Sequence, residues 1–576
     1  MDYADYMKRY EEWLESDYID ELTKRELEEI RGNEREIEDR FYKDLHFGTA
    51  GLRGIIGAGT NRMNKYTVCK TTKGLANYIL KKGDENSSVV IAHDSRLFSR
   101  EFTEMSAAVL CAHGINVYIY PSLRSTPELS FAVRETKSTA GIVITASHNP
   151  PEYNGYKVYW DYGSQVMTPI AEELMEEINS IKDFAIIEPY LDRDLKEFDN
   201  LYILGEEMDK KYIDNVLSLS LNPKAIEEAK DLKIVYTPLH GAGNIPVRRA
   251  LKEAGFTNVH VVPEQELPDG SFPTVKYPNP EEPDSFLLGL EMAKEIDGDI
   301  IIATDPDCDR LGVMIKVGDK DYLRLTGNQA GVILTYYIFD SLKDSGKLKE
   351  NSLFIDTIVT GKMAEKIAKS YGAITVSTLT GFKHIASVIK DRETKGDNFV
   401  FAFEESYGYM AGDFVRDKDA VISSMLICEA AAFYKTKGLN LYEGLLNLYE
   451  EYGYYKEDLF SIVLKGREGA ETILAIMDSL RKNPPKDVNG LKILEFRDYL
   501  VYKSPFKIPK DNVLSFIFED SSWFAIRPSG TEPKIKIYLA VKGNSLEDAD
   551  TRLSTLKKNV KELIEGTMGQ HSTPLF

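Results

Sequence analysis

Cysteine is scarce in this chain: four in 576 residues, Cys69, Cys111, Cys308 and Cys428. They stand far apart with no Cys-x-x-Cys spacing, which argues against a disulfide framework and a zinc site and points to a reducing compartment. Long apolar runs are missing as well. No stretch approaches the roughly 20 apolar residues of a membrane span, and the acidic N-terminus lacks the apolar segment of a signal peptide. A cytoplasmic protein with no membrane partner is therefore expected. Positive charge is in deficit, with 71 Lys and Arg against 92 Asp and Glu and a formal net charge of −21. That argues against a general nucleic-acid surface, and nothing in the composition implies a protein partner. An acidic protein that handles an anion must concentrate its cations locally, so Lys and Arg inside motifs carry added meaning.

The length exceeds what one hydrophobic core fills, and about three to four domains are expected. Residues 1 to 45 are charge-rich with a thin apolar stripe of Tyr6, Tyr10, Trp13 and Leu14, which reads as surface helices packed onto a body. Gly48-Thr49-Ala50-Gly51-Leu52-Arg53-Gly54 reads as a glycine-rich turn carrying one arginine, of the kind that lets amides and a guanidinium approach an anion. Strand-like runs follow at Val89–Ala92, Val117–Tyr120 and Ala140–Thr145, with helical patterns between them. A second βαβ unit covers Lys233–Tyr236, Val259–Val262 and Asp299–Ala303, and a third covers Leu353–Asp356, Ile374–Ser377 and Phe399–Phe403. Each closes with an apolar strand and a polar loop, which suggests a domain-scale repeat with ligand loops at the carboxyl ends of strands. From about residue 456 short alternating stretches such as Ile535–Tyr538 indicate an antiparallel sheet, and Leu546, Ala549, Leu553, Leu556, Val560 and Leu563 form the stripe of a final helix. The boundaries drawn from these changes are 1–205, 206–321, 322–455 and 456–576.

The centre of the chain's organisation is Thr145-Ala146-Ser147-His148-Asn149-Pro150. Pro150 and Pro151 stop the preceding strand, so Ser147 falls on an exposed loop beside a histidine. A serine hydroxyl is a weak nucleophile until a neighbouring base activates it. In Asp305-Pro306-Asp307-Cys308-Asp309-Arg310 three carboxylates crowd one turn, and a hard divalent cation resolves that crowding. An EF-hand is rejected because Arg310 and Lys316 stand where it requires glycine and glutamate. A phosphatase with an aspartyl nucleophile is a rival that leaves Ser147 idle. Arg527-Pro528-Ser529-Gly530-Thr531-Glu532-Pro533-Lys534 joins two cations, two hydroxyls and a glycine in one turn, a composition suited to a phosphate dianion rather than a plain hairpin.

Taken in order with Gly381-Phe382-Lys383-His384 and Glu404-Glu405-Ser406, these motifs resemble the α-D-phosphohexomutase family over residues from about 48 to 540. The branch most similar is that of bacterial phosphoglucomutases and phosphopentomutase-like proteins, through Gly48–Arg53, Asn154–Trp160 and Phe403–Tyr409. The resemblance implies an α/β protein of four domains around a central cleft. Three would be related α/β domains with mixed sheets, and the last a smaller α+β domain of TATA-box-binding-protein-like shape. It implies that Ser147 carries a phosphate in the active enzyme, with one Mg2+ per chain held by Asp305, Asp307, Asp309 and that phosphoserine. Arg53, His148, Lys157, Arg310 and Lys418 match family positions around the reacting phosphate, Lys157 or His148 being the candidate base. Gly381, Phe382, Lys383 and His384 would form a specificity loop, Glu404 and Ser406 would meet sugar hydroxyls, and Arg527, Ser529, Gly530 and Thr531 would hold the phosphate that is not reacting. The implied activity is interconversion of glucose 1-phosphate and glucose 6-phosphate, with glucose 1,6-bisphosphate as intermediate and activator. His384 stands where relatives of this branch carry an aromatic residue, which leaves pentose and mannose phosphates as alternative substrates. A catalytically silent sugar-phosphate-binding regulator is a further alternative, against which the intact Ser147 and three aspartates argue.

Overall fold

A computed structural model describes residues 3–48, 51–83, 87–464, 466–506, 508–529 and 534–568. Its contacts divide the chain into two compact units, Met1–Thr326 with Ser406–Gly438, and Gly327–Glu405 with Leu439–Phe576. The region drawn from sequence as 322–455 is thus shared between them: the helix Ala420–Thr436 packs on the helices Asn244–Ala254 and Pro223–Glu228 of the first unit.

The first unit holds two mixed sheets. In the first, Ser88–His93 pairs in parallel with Ala140–Ile144 and Asn116–Ile119, and Asn116–Ile119 pairs in parallel with Leu201–Ile203. Tyr153–Trp160 then runs antiparallel to both Ala140–Ile144 and Leu52–Ile55. Strands buried on both faces read as unbroken apolar runs, and Ala140–Ile144 is buried at every position. Gly141 allows the close approach of the helix Thr126–Glu135, because a Cβ there would lie 2.5 Å from Val133 Cγ2. In the second sheet Ile234–Thr237 pairs in parallel with Val259–Val261 and Ile300–Thr304, and Leu311–Lys316 turns back antiparallel to Ile300–Thr304. Both functional loops of this unit, 145–152 and 305–310, therefore join a buried parallel-type strand to an antiparallel neighbour.

The N-terminal helices Tyr3–Glu15, Glu21–Glu29 and Glu34–Phe41 pack on the first sheet's layer. Trp13 anchors them edge-on against Phe41, Tyr66 and Phe184 at 5.3–5.7 Å. Leu52–Ile55 is a strand, so Arg53 stands on an edge strand and not within the turn read from its glycines; the neighbouring Thr49 and Ala50 lie outside the described residues.

The second unit contains a parallel set, Ile374–Thr378, Ser352–Thr357 and Asn398–Glu404. It also contains a six-stranded sheet ordered Tyr454–Val463, Lys534–Gly543, Trp523–Pro528, Leu514–Phe518, Leu491–Asp498 and Asp487–Val488. The helices Gly466–Lys482 and Leu546–Met568 cover one face of that sheet through Ile473, Met477, Leu556 and Val560. All four cysteines are free and buried, and among the described residues no helix is long and apolar enough to cross a membrane.

Candidate active site

Ser147 begins a turn at the end of Ala140–Ile144 with φ of +52°, a left-handed conformation that costs a non-glycine residue energy and is held only by its surroundings. Those surroundings are polar and dense. The Thr145 hydroxyl accepts the Ser147 N–H at 2.7 Å and donates to Asp94 Oδ2 at 2.5 Å. The Arg96 guanidinium donates to the Ser147 carbonyl at 2.5 Å, to Pro150 O at 2.8 Å, to Tyr153 O at 3.0 Å, and to Asn149 O. Buried carbonyls need such partners, and one guanidinium satisfying four of them draws the loop inward. Ser147 is consequently 4 % exposed, not on an exposed loop.

The Ser147 hydroxyl donates to Asp305 Oδ2 at 2.7 Å and lies 3.1 Å from His148 Nδ1. Burial, together with the nearby Arg310 and Arg53 cations, holds the His148 imidazole neutral, well below its usual pKa. Arg53 reaches the same turn from its strand, donating to Asn149 Oδ1 at 3.4 Å. Asp305, Asp307 and Asp309 are buried and present carboxylate oxygens within 4.8 Å of one another. Asp305 Oδ1 accepts the backbone N–H groups of Asp309 and Arg310, which shapes the turn. Lys157, on Tyr153–Trp160, donates to Asp307 Oδ2 at 2.7 Å and lies 3.8 Å from Asp309. Lys418 lies 3.0 Å from Asp309 and 3.1 Å from Asp417, which also accepts the Tyr159 hydroxyl. Arg310 pairs with Glu281.

Burial, then mutual repulsion, pushes Asp305 well above the usual carboxylate range and Asp309 above it. Burial acts against charge on Asp307 too, yet Lys157 holds it below that range. Asp307 Oδ1 and Asp309 Oδ1 are buried without hydrogen-bond partners. An all-oxygen cluster with unpartnered carboxylate oxygens fits a hard divalent ion such as Mg2+.

The second unit gathers another group. Gly381, at φ +110°, starts the helix Phe382–Glu393, and its N–H donates to the buried Glu404 carboxylate at 2.5 Å. Lys383 is lowered by burial and then by the Arg527 cation, and His384 is lowered to about 3 by burial, Lys383 and Arg527. Lys383 and Arg527 therefore form one cationic neighbourhood with a neutral His384 beside them, opposed by Asp511 at 3.5 Å from Arg527. Ser529 is half-buried, with its N–H donating to Lys534 O. Gly530 and Thr531 lie outside the described residues. Ser406 is half-buried in the turn before Tyr407 and belongs to the first unit.

The motifs in the sequence did not mark Arg96, Asp94 or Thr126. Asp94 and Arg96 do follow a buried parallel strand at its carboxyl end, where ligand loops gather, and that position is the available signal. Thr126 opens a helix capped by the Ser125–Glu128 box. Its N–H and hydroxyl both bind Asp307, at O and Oδ2, each at 2.9 Å. The side chains of Arg96 and Asp94 are both fully buried. Arg96→Ala leaves that carboxylate and four carbonyls without their cation. It should cost about 3–5 kcal/mol, read as a lowered midpoint of thermal unfolding and a loss of turnover.

Comparison with known proteins gives matches along nearly the whole chain. The descriptions "Phosphoglucomutase/phosphomannomutase, alpha/beta/alpha domain I", "domain II" and "domain III" match residues 44–184, 210–318 and 326–452, and the "C-terminal domain" of the same set matches 475–549. The phosphoglucomutase of Staphylococcus haemolyticus is 38 % identical over 520 residues, covering 88 % of this chain and 92 % of that protein. The phosphoglucomutase of Staphylococcus saprophyticus is 36 % identical over 546 residues, covering 93 % and 97 %. Among solved structures, the open form of parafusin, a phosphoglucomutase from Paramecium, superposes with a TM-score of 0.69 at 17 % identity over 93 % of this chain and 98 % of that one. A phosphoglucomutase/phosphomannomutase family protein from Burkholderia thailandensis gives 0.66 at 18 % identity over 91 % and 98 %. These two likenesses concern the fold.

Proposed function

The chain belongs to the phosphoglucomutase/phosphomannomutase family, and we propose that it interconverts glucose 1-phosphate and glucose 6-phosphate through a phosphorylated Ser147 and glucose 1,6-bisphosphate. The observation that carries this reading is the contact of the Ser147 hydroxyl with Asp305, in a cluster whose other two aspartates each keep an unpartnered oxygen. Asp305, Asp307 and Asp309 would hold one Mg2+ per chain. When bound, that ion supplies positive charge against the transferring phosphoryl group and relieves the repulsion among the carboxylates.

The chain's own residues divide the remaining work. Arg53, which reaches Asn149 in the serine turn, and Arg310, which pairs with Glu281 at the aspartate turn, would offer cations to the equatorial oxygens of the phosphoryl group. A sugar hydroxyl forms a new O–P bond as the Ser147 O–P bond breaks, and its proton passes to a base. His148 is neutral but made a weak base by burial and the Arg310 and Arg53 cations, whereas Lys157 is charged while it pairs with Asp307, so both stay candidates for that base. The reverse transfer then returns the sugar's other phosphate to Ser147. Arg96 positions the serine turn throughout.

The non-reacting phosphate is assigned to Lys383, His384, Arg527 and the loop that begins at Ser529, where the Lys383 and Arg527 cations gain an anion and His384 offers a neutral N–H. Glu404 and Ser406 are assigned to sugar hydroxyls. The Arg527–Asp511 pair is partly exposed and adds little stability. Arg527→Ala should accordingly leave thermal unfolding nearly unchanged while raising KM for glucose 1-phosphate about 10- to 100-fold, with kcat falling less. An unaltered KM would assign this arginine a structural role. A cytoplasmic location and a sugar phosphate as the only required partner complete the reading. It is tested by a coupled assay with glucose 1-phosphate and a trace of glucose 1,6-bisphosphate, run beside mannose 1-phosphate and ribose 1-phosphate. Greater kcat/KM on either competitor would overturn the glucose assignment.

A further inference from the structure

The first unit contains a cavity of about 920 Å3 lined by none of the residues assigned above. Its size is within the range of small-molecule sites, about 300–1,000 Å3. Its apolar lining includes Ile56, Met63, Phe102 and Met105, while Leu22 and Phe98, 75 % and 49 % exposed, stand at its edge. Its charge is one-sided: six carboxylates line it against two cations, Lys65 and Arg193. Both cations are engaged, Lys65 with Asp20 and Asp192 at 3.4 Å and Arg193 with Glu197 at 2.7 Å, and Glu26 and Glu104 pair with Arg40 and Arg100, so the charge left to the rim is that of Glu21 and Glu101. An apolar floor under an acidic rim is complementary to a molecule with an apolar body and a positive end.

Two stretches of the lining continue into the serine turn. Phe98, at φ +63°, precedes the helix Ser99–Ala112. Two residues before it stands Arg96, which binds the carbonyls of Ser147, Asn149, Pro150 and Tyr153. Asn154 ties the same segment down, donating to Leu97 O at 2.9 Å and Ser99 Oγ at 3.0 Å. Ile56, also in the lining, donates its N–H to Glu152 O at 2.8 Å. Ile56 follows the strand Leu52–Ile55, from which Arg53 reaches Asn149. A ligand touching both stretches thus meets the two segments that grip residues 147–153.

We infer that this cavity is a binding site for a small amphipathic amine, and that occupancy orders the Ser147–Tyr153 turn. The inference does not depend on which sugar phosphate the enzyme prefers. The test uses the full chain with octylammonium, octanol and octanoate, titrated by calorimetry and followed by amide hydrogen exchange, with no turnover required. Octylammonium should bind at least about tenfold more tightly than either of the others and should slow exchange across residues 147–153. Glu101→Lys, an exposed change at the rim, should reverse the preference towards octanoate while mutase activity without amine stays unchanged. Glu21→Lys serves as an independent second variant. Equal affinity for all three compounds, no binding, or a preference that survives both charge reversals would overturn the amine assignment. Binding without slower exchange at 147–153 would overturn the coupling.

Discussion

Ser147→Ala is expected to lower mutase turnover by at least about a thousandfold while the protein remains folded. The hydroxyl is the atom that would carry the phosphoryl group, and it lies 2.7 Å from Asp305. Alanine enters the same left-handed backbone at no greater cost than serine. The turn keeps its anchors, because Arg96 binds backbone carbonyls and Thr145 binds the backbone N–H of residue 147. Asp305 retains the N–H groups of Asp309 and Arg310 on its other oxygen, so the lost hydrogen bond should cost no more than about 1–3 kcal/mol. Circular dichroism and thermal unfolding would check the fold and the coupled assay the turnover. A folded variant with full activity would remove Ser147 from the mechanism.

The second large effect concerns the metal. Chelation should abolish activity, with Mg2+ restoring it, and Asp307→Asn should weaken Mg2+ binding at least about 100-fold by removing a formal charge from a three-carboxylate site. Thr126 extends this claim. With Lys157 it fixes Asp307 through Oδ2, while Oδ1 has no hydrogen-bond partner, so Thr126→Val should weaken Mg2+ binding about tenfold and Thr126→Ser should restore it. Calorimetric titration reads both effects without turnover.

The pH dependence has a definite sign. Asp305 and Asp309 have pKa values raised in the metal-free fold, so their contribution to stability is full below the unfolded value of about 3.9 and is lost as pH rises through the raised values. Mg2+ binds the ionised forms and reverses that loss. Its stabilisation of thermal unfolding should therefore grow as pH rises above the ordinary carboxylate range, and its affinity should fall as pH falls. Stabilisation independent of pH would show that these carboxylates are not its ligands.

Much of this arrangement was legible in the sequence because buried parallel strands are written as unbroken apolar runs. Ala140–Ile144, Ile300–Thr304 and Asn398–Glu404 fall within a residue or two of where the runs place them. The final helix keeps its stripe, with Ala549, Leu556 and Val560 buried. The antiparallel returns were harder to see. Tyr153–Trp160 begins one residue after a proline pair and mixes polar with aromatic residues, and Leu52–Ile55 is four residues with Gly51 before it and Gly54 inside it. The motifs named the groups of chemical interest but not their supports. Arg96 acts on residues 51 to 57 positions away, and Thr126 acts on one 181 positions away. Such pairings arise from the sheet order and leave no local pattern. Ser147 was misjudged as exposed for the same reason, since the guanidinium that buries its turn comes from another strand's end.

The most direct test of the central claim is the site of phosphate on the enzyme. Purified protein would be incubated with Mg2+ and glucose 1,6-bisphosphate, then examined by intact-mass spectrometry and peptide mapping. The account predicts one phosphate per chain, on Ser147, that disappears when the enzyme is treated with excess glucose 6-phosphate and is absent from Ser147→Ala. A phosphate mapped to another residue, or an active enzyme that never carries one, would contradict it.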